Sequence, residues 1–223
     1  MGIGVGLRRF TGSERALSQR GVGAVVAGLM IALLFFEKSV IPGVSASFSD
    51  FKTAAQRRKV QIQIHDFALT DQNGRQFRFQ STLGKVVLVT FGYTTCPDVC
   101  PLTTAAMREV QANLASGERD AVFLITVTTD PEVDEPKLLA TYAKRFSADL
   151  SNWSFLTGSE RTLGEVWKNF GVKVQRKARG LVDHTPLTAV IDQDGAMRLA
   201  YHGSAPDPKM MLRDVRSLLD RRY

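Results

Sequence analysis

Three short runs of apolar, largely β-branched residues limit what this chain can fold into: Lys85–Phe91 (KVVLVTF), Ala121–Val127 (AVFLITV) and Leu187–Ile191 (LTAVI). A strand with one wet face alternates apolar and polar residues. Runs this continuous are the mark of strands buried on both faces. Helical spacing of apolar residues fills the intervals, from Pro101 to about Ala115, over Glu135–Phe146, over Leu163–Phe170 and from Asp207 to Leu219. Ahead of the first run, Phe67–Phe79 reads as a hairpin turning at Asp71-Gln72-Asn73-Gly74. After the third, Asp192-Gln193-Asp194-Gly195 turns the chain into a further strand, Ala196–Tyr201. Strands alternating with helices predict an α/β sheet covered on both faces.

The order of these elements resembles a thioredoxin-like fold with an N-terminal β-hairpin extension. Lys85–Phe91, with a cysteine shortly after it, is similar to that superfamily's passage from strand to active site. Pro186–Asp192 is similar to its cis-proline loop and following strand, so the Thr185–Pro186 peptide is expected to be cis.

The N-terminus decides where such a domain works. Arg8, Arg9, Arg15 and Arg20 precede an uncharged run, Gly21–Phe36, which Val40 and Ile41 extend beyond Glu37 and Lys38. A span needs about 20 apolar residues, and basic flanks stay on the cytoplasmic side. Residues 21–41 are therefore read as one transmembrane anchor, residues 1–20 as a cytoplasmic N-terminus, 42–60 as a linker and 61–223 as the exported domain. The small residues Val44-Ser45-Ala46 suit a signal-peptidase site but lie far beyond the apolar run. An uncleaved anchor in a bacterial inner membrane, with the domain in the periplasm, is preferred over that and over a mitochondrial inner-membrane location. The net charge of +7 arises partly in these N-terminal arginines. Arg57-Arg58-Lys59 and Arg176-Lys177-Arg179 read as solvated surface, so no nucleic-acid partner is expected.

The chemistry sits in Thr94-Thr95-Cys96-Pro97-Asp98-Val99-Cys100-Pro101, which holds both cysteines. Pro101 fits the first position of a helix, which leaves Cys100 in an extended or cap conformation before it. Amide donors and the helix dipole there favour a thiolate. A pair with three intervening residues forms a disulfide or holds a soft ion. Two cysteines do not complete a zinc tetrahedron, but with one imidazole they make a three-coordinate site suited to copper(I). His184, two residues before Pro186, is the candidate imidazole, because in the thioredoxin-like fold that loop faces the cysteine loop. His65 and His202 fall outside this geometry. Met197, Met210 and Met211 read as packing, and Trp153 and Trp167 as core.

These residues resemble the Sco/SenC family of copper chaperones over about residues 60–220. The most specific part is Phe91-Gly92-Tyr93-Thr94-Thr95-Cys96-Pro97-Asp98-Val99-Cys100-Pro101. Thr128-Thr129-Asp130-Pro131-Glu132-Val133-Asp134 and Val182-Asp183-His184-Thr185 follow in the family's order. The resemblance implies one copper ion per chain on Cys96, Cys100 and His184, with Asp130 in supporting contact. It implies delivery of that copper to the binuclear centre of cytochrome c oxidase subunit II. A thiol-reducing partner is expected too, because an oxidising compartment would otherwise close the pair as a disulfide. In two places the chain departs from the pattern. Thr95 stands where many members have histidine, and Pro186 stands where many have an apolar or small residue. The surroundings of Pro186 look more like membrane-tethered thiol–disulfide reductases. The alternative is therefore an oxidoreductase in which Cys96 attacks and Cys100 resolves. A chaperone that is not an enzyme is the preferred reading.

Overall fold

The computed structural model describes residues 55–221 apart from Ala205, with the Arg179 side chain also left aside. The anchor expected over 21–41 lies outside the described residues. Among those described, no helix is long and apolar enough to cross a membrane.

Among the described residues there are ten strands and five α-helices. The strands are β1 (Gln56–Gln63), β2 (Ala68–Asp71), β3 (Gln76–Arg78), β4 (Val86–Gly92), β5 (Val122–Thr128), β6 (Trp153–Thr157), β7 (Val174–Arg176), β8 (Val182–His184), β9 (Leu187–Ile191) and β10 (Ala196–His202). The helices are α1 (Val99–Ala112), α2 (Ser116–Arg119), α3 (Pro136–Arg145), α4 (Glu160–Asn169) and α5 (Pro208–Leu219). Eight strands form one sheet in the order β1-β10-β9-β4-β5-β6-β2-β3. β4, β5 and β6 run parallel at its centre. β9 joins β4 antiparallel, and the β2–β3 hairpin closes the far edge against β6. This is the thioredoxin-like arrangement with the expected N-terminal hairpin.

The unbroken apolar runs are explained by the two cores. Along β4, Val86 and Leu88 face one layer, where Met107 and Val110 of α1, Leu139 of α3 and Met211 and Val215 of α5 pack. Val87, Val89 and Phe91 face the other, against Leu163 and Val166 of α4 and Leu69 and Phe79 from the hairpin region. With helices on both sides, neither face of β4 tolerates a polar residue other than Thr90, which donates to the Leu187 carbonyl at 3.3 Å. Helix starts are fixed locally. Ser159 accepts from the Thr162 amide to begin α4, and Asp207 caps α5 just before Pro208.

The structure differs from the sequence reading in several places, the β7–β8 strands and the short α2 among them. Gln56–Gln63, inside the stretch read as linker, is strand β1, paired antiparallel with β10. It sits at the sheet edge almost wholly exposed, so it needs no apolar face, and its Arg57 forks onto Asp214 at 2.7 and 2.8 Å. The short buried strand β6, which places Trp153 in the core, was not expected either, although Ser151-Asn152 and Gly158-Ser159 bracket it. Helix α1 begins at Val99, so Cys100 lies within its first turn and Pro101 is its third residue, two positions later than expected. First-turn amides have no carbonyl partner, so a proline there costs no hydrogen bond. Finally, Thr185–Pro186 is trans, as are all the described peptides. β8 runs extended directly into Thr185, which is the conformation that proline imposes on its predecessor without any isomerisation.

Candidate metal centre

β4 ends at Gly92, and Tyr93–Asp98 carries the chain from the C-terminal edge of the parallel strands to α1. Asp134 ties this loop down. It is fully buried and accepts the Thr94 hydroxyl at 2.5 Å, the Thr94 amide at 3.2 and 3.3 Å and the Thr128 hydroxyl at 2.5 Å. Burial pushes its carboxyl above the ordinary carboxylate range, while the threonine bonds pull the other way. Gly92 is glycine for a spatial reason. A Cβ there would stand 3.1 Å from the Cys100 sulfur and 3.2 Å from its Cβ.

The two sulfurs differ. Cys96 is half-buried and Cys100 buried, and both are free thiols. A hydrogen bond from Cys100 holds the Cys96 thiol down to about 5, against the opposing effect of burial. The amides of Asp98, Cys100 and Val99 add to the lowering. The Asp98 side chain makes no cap for α1, so the Cys96 sulfur receives the amides a capping oxygen would take. Cys100 moves the other way, held protonated by the neighbouring thiolate and by burial. The pair thus shares one proton, with the charge on the more accessible atom.

His184, the imidazole expected beside the cysteines, arrives from β7 and β8, which form a two-stranded sheet of their own. Their register sets Val174 opposite His184 and Arg176 opposite Val182. This hairpin packs Val182 and Val174 on Tyr93 and Cys100, and the Val182 amide donates to the Tyr93 hydroxyl at 3.3 Å. His184 Nε2 lies 3.7 Å from the Cys100 sulfur. Its Nδ1 lies 3.1 Å from the Thr185 carbonyl, an oxygen that only accepts. The proton therefore sits on Nδ1 and the lone pair of Nε2 faces the sulfur. Burial lowers the His184 pKa and keeps the ring neutral, the form that ligates.

The fold thus brings Cys96, Cys100 and His184 to one place. No group of three His, Cys, Asp or Glu side chains among the described residues already stands as a finished metal site. The donor chemistry, two sulfurs and a neutral imidazole, fits a soft monovalent ion. Asp130 makes no bond to either sulfur among the described residues. It is buried and pairs with Arg176, and its Oδ2 has no partner. His65 and His202 are exposed, as expected, and Met197 and Met211 are buried packing. A cavity of about 10 Å³, room for about one water, touches Cys100, Thr94, Thr104, Asp134 and Tyr142.

Comparison with known proteins gives the family and the fold. The family model described as SCO1/SenC matches residues 55–220. The chain belongs to the SCO1/SenC family. The SCO1 protein homolog of Bacillus subtilis is 30% identical over 162 residues, 71% of this chain and 83% of the relative. A SCO1/SenC family lipoprotein of Bacillus anthracis superposes with a TM-score of 0.67 at 31% identity, covering 74% of this chain and 99% of that one. Bradyrhizobium japonicum ScoI, solved with copper bound, superposes with a TM-score of 0.60 at 29% identity, covering 70% of this chain and 99% of that one.

Three parts of this Sco domain were not legible as site residues. Asp134 stands in the Thr128–Asp134 motif, but only folding shows it gripping Thr94. Tyr93 stands in the cysteine motif, and its hydroxyl turns out to hold the arm. Arg176 read as solvated surface, and nothing local to it signalled the buried acid it reaches.

Proposed function

We propose that this chain is a membrane-anchored copper chaperone. One copper ion, its cargo, would be held by Cys96, Cys100 and His184 and handed to the binuclear copper centre of cytochrome c oxidase subunit II. The observation that carries this reading is the neutral His184 ring presenting Nε2 to Cys100 at 3.7 Å. A relative of the same fold binds copper, which supports it. The charged, half-exposed Cys96 is the sulfur an acceptor thiolate reaches first. Buried Cys100 and His184 would retain the ion until that exchange has begun. The anchor at 21–41 would place the site in the periplasm of a bacterial inner membrane, where a thiol-reducing partner must keep the pair open for loading.

A second reading is favoured by one observation. The low-pKa Cys96 beside a protonated Cys100 is also the arrangement of a dithiol reductase. Cys96 thiolate would attack a substrate disulfide and expel one thiolate. Cys100 would then resolve the mixed disulfide, leaving the pair oxidised and the substrate as a dithiol.

One experiment separates the two. The full chain, reduced in detergent, is offered copper(I) and, separately, a disulfide substrate. The chaperone reading expects one copper per chain and loss of most of the affinity in His184→Ala. The reductase reading expects disulfide turnover that survives His184→Ala. Turnover without copper uptake by the parent chain would sink the chaperone reading.

A further inference from the structure

His184 reaches the sulfurs on an arm that the main sheet does not hold. β7 and β8 pair only with each other, and the arm's base is closed by bonds between Lys173 and Thr185 at 2.9 and 3.1 Å. Its attachments to the body are few. Val182 packs on Tyr93 and Cys100, Val174 touches both that cluster and the main apolar core, the His184 ring meets Tyr93 edge-on, and one amide reaches the Tyr93 hydroxyl at 3.3 Å. The remaining attachment is ionic. Arg176 Nη1 donates to Asp130 Oδ1, and its Nε lies 3.3 Å from Glu132. Asp130 and Glu132 belong to the loop between β5 and α3, on the body of the domain.

The two ends of this pair are unequal. Asp130 is 1% exposed, and its other oxygen has no partner. Arg176, by contrast, is about a third exposed. A buried carboxylate without a counter-ion is strongly disfavoured. Lifting the arm would strip Asp130 of the one cation shown at it, so the charge biases the arm toward closure. Arg176 and His184 are two rungs apart on the same short hairpin, so whatever fixes Arg176 also fixes His184.

We propose that Arg176 is a positioning residue: its pair with Asp130 clasps the β7–β8 arm to the domain and so holds the His184 imidazole at the sulfurs. This rests on the copper reading for its consequence but not for its geometry. With the clasp closed, Val182 covers Cys100 and the ring faces it. With it open, the ring leaves and Cys100 is uncovered while the sulfur pair itself stays in place. Asp130 then acts on the site through Arg176 and not as a ligand.

The test uses the full reduced chain in detergent and two variants. Arg176→Met keeps the aliphatic stem and removes the charge. Asp130→Asn keeps the shape of the buried side chain, and by removing a buried charge it leaves the core free to fold. Both are expected to speed hydrogen exchange at the Val182 amide in the metal-free chain by about tenfold or more, with Arg176→Lys restoring most of the protection. Copper(I) affinity is expected to fall about tenfold or more, copper X-ray absorption to lose its nitrogen while keeping two sulfurs, and Arg176→Met added to His184→Ala to cost nothing further. Parent-like exchange at Val182 in both variants, or an intact copper–nitrogen contact in Arg176→Met, overturns the proposal. Should the parent chain bind no copper, the proposed function fails and the exchange rates alone decide the clasp.

Discussion

The two halves of the site are held by different physics. The cysteine half grows out of the core. β4 is buried on both faces, α1 packs Met107 and Val110 into one layer, and Asp134 ties the loop between them. The histidine half hangs on a six-residue sheet attached by two valines, an edge-on contact of His184 with Tyr93, one neutral hydrogen bond and the ionic contacts of Arg176 with Asp130 and Glu132. Anything that loosens the cysteine half must disturb the fold, whereas the histidine half can move by itself. The proposed carrier role needs both properties: a fixed sulfur pair that would define the ion's position, and a third donor able to leave when the ion does.

The largest expected effect strikes the shared support. Leu88→Ala empties a fully buried position in the central strand and is expected to cost about 2–5 kcal/mol of stability in urea unfolding. Copper affinity per folded chain should stay within about twofold, because no contact to the arm is touched. A large fall in affinity of the folded fraction would mean that sulfur geometry depends on the core more finely than the comparison allows.

Next comes the site itself. Cys100→Ala should lower copper(I) affinity more than about 100-fold, roughly 2.7 kcal/mol, since one imidazole and one thiolate make a poor soft site. The melting temperature should not fall, as a small residue still fills the place. If affinity survives, the ion is held elsewhere on the chain.

Gly92→Ala acts on one atom. The added methyl would stand 3.1 Å from the Cys100 sulfur, closer than such contacts normally run. The sulfur must therefore shift by a few tenths of an ångström. About a tenfold loss of copper(I) affinity is expected, measured by competition with a chelator, with stability lowered by about 1 kcal/mol. Unchanged affinity would show that the sulfur has room to move, and the cysteine half would then be softer than its burial implies.

Legibility in the sequence followed the same division. The parallel strands could be read because burial on both faces leaves a local signature, and α1 because its apolar residues recur at helical spacing. The sulfur pair was legible as chemistry from eight consecutive residues. His184 was placed only by resemblance to a known fold, since nothing in its neighbourhood names a partner in α1. The arm that carries it was not read at all. Its strands are three residues each, too short for a period, and its clasp joins residues 46 positions apart. β1 escaped for the complementary reason that an exposed edge strand has no buried face to betray it. Local pattern therefore reports what is buried by a sheet and misses what is held by a single long-range charge.

The smallest expected effect is a control on that distinction, an ion pair that holds no part of the site. Arg78 donates to Asp66 at 2.7 Å, and Asp66 also accepts the Gln80 amide at 2.9 Å. The bond from Arg78 holds the Asp66 carboxyl below its ordinary value. A carboxyl whose pKa is lower folded than unfolded contributes stability above its unfolded pKa, and that contribution is lost as pH falls through the folded value. The pair is solvent-exposed, so the contribution is expected to be no more than about 0.5 kcal/mol. Asp66→Asn should therefore flatten the acid limb of the stability curve slightly, below about pH 4, and leave copper affinity and exchange at Val182 untouched. Removal of Arg176 deletes the same kind of bond, from a part-exposed arginine to a carboxylate, but one whose acid is buried and whose arginine rides on the arm. If Asp66→Asn loosened the arm as Arg176→Met is expected to, the arm would be responding to the domain's charge in general, and the particular geometry at Asp130 would lose its explanatory role.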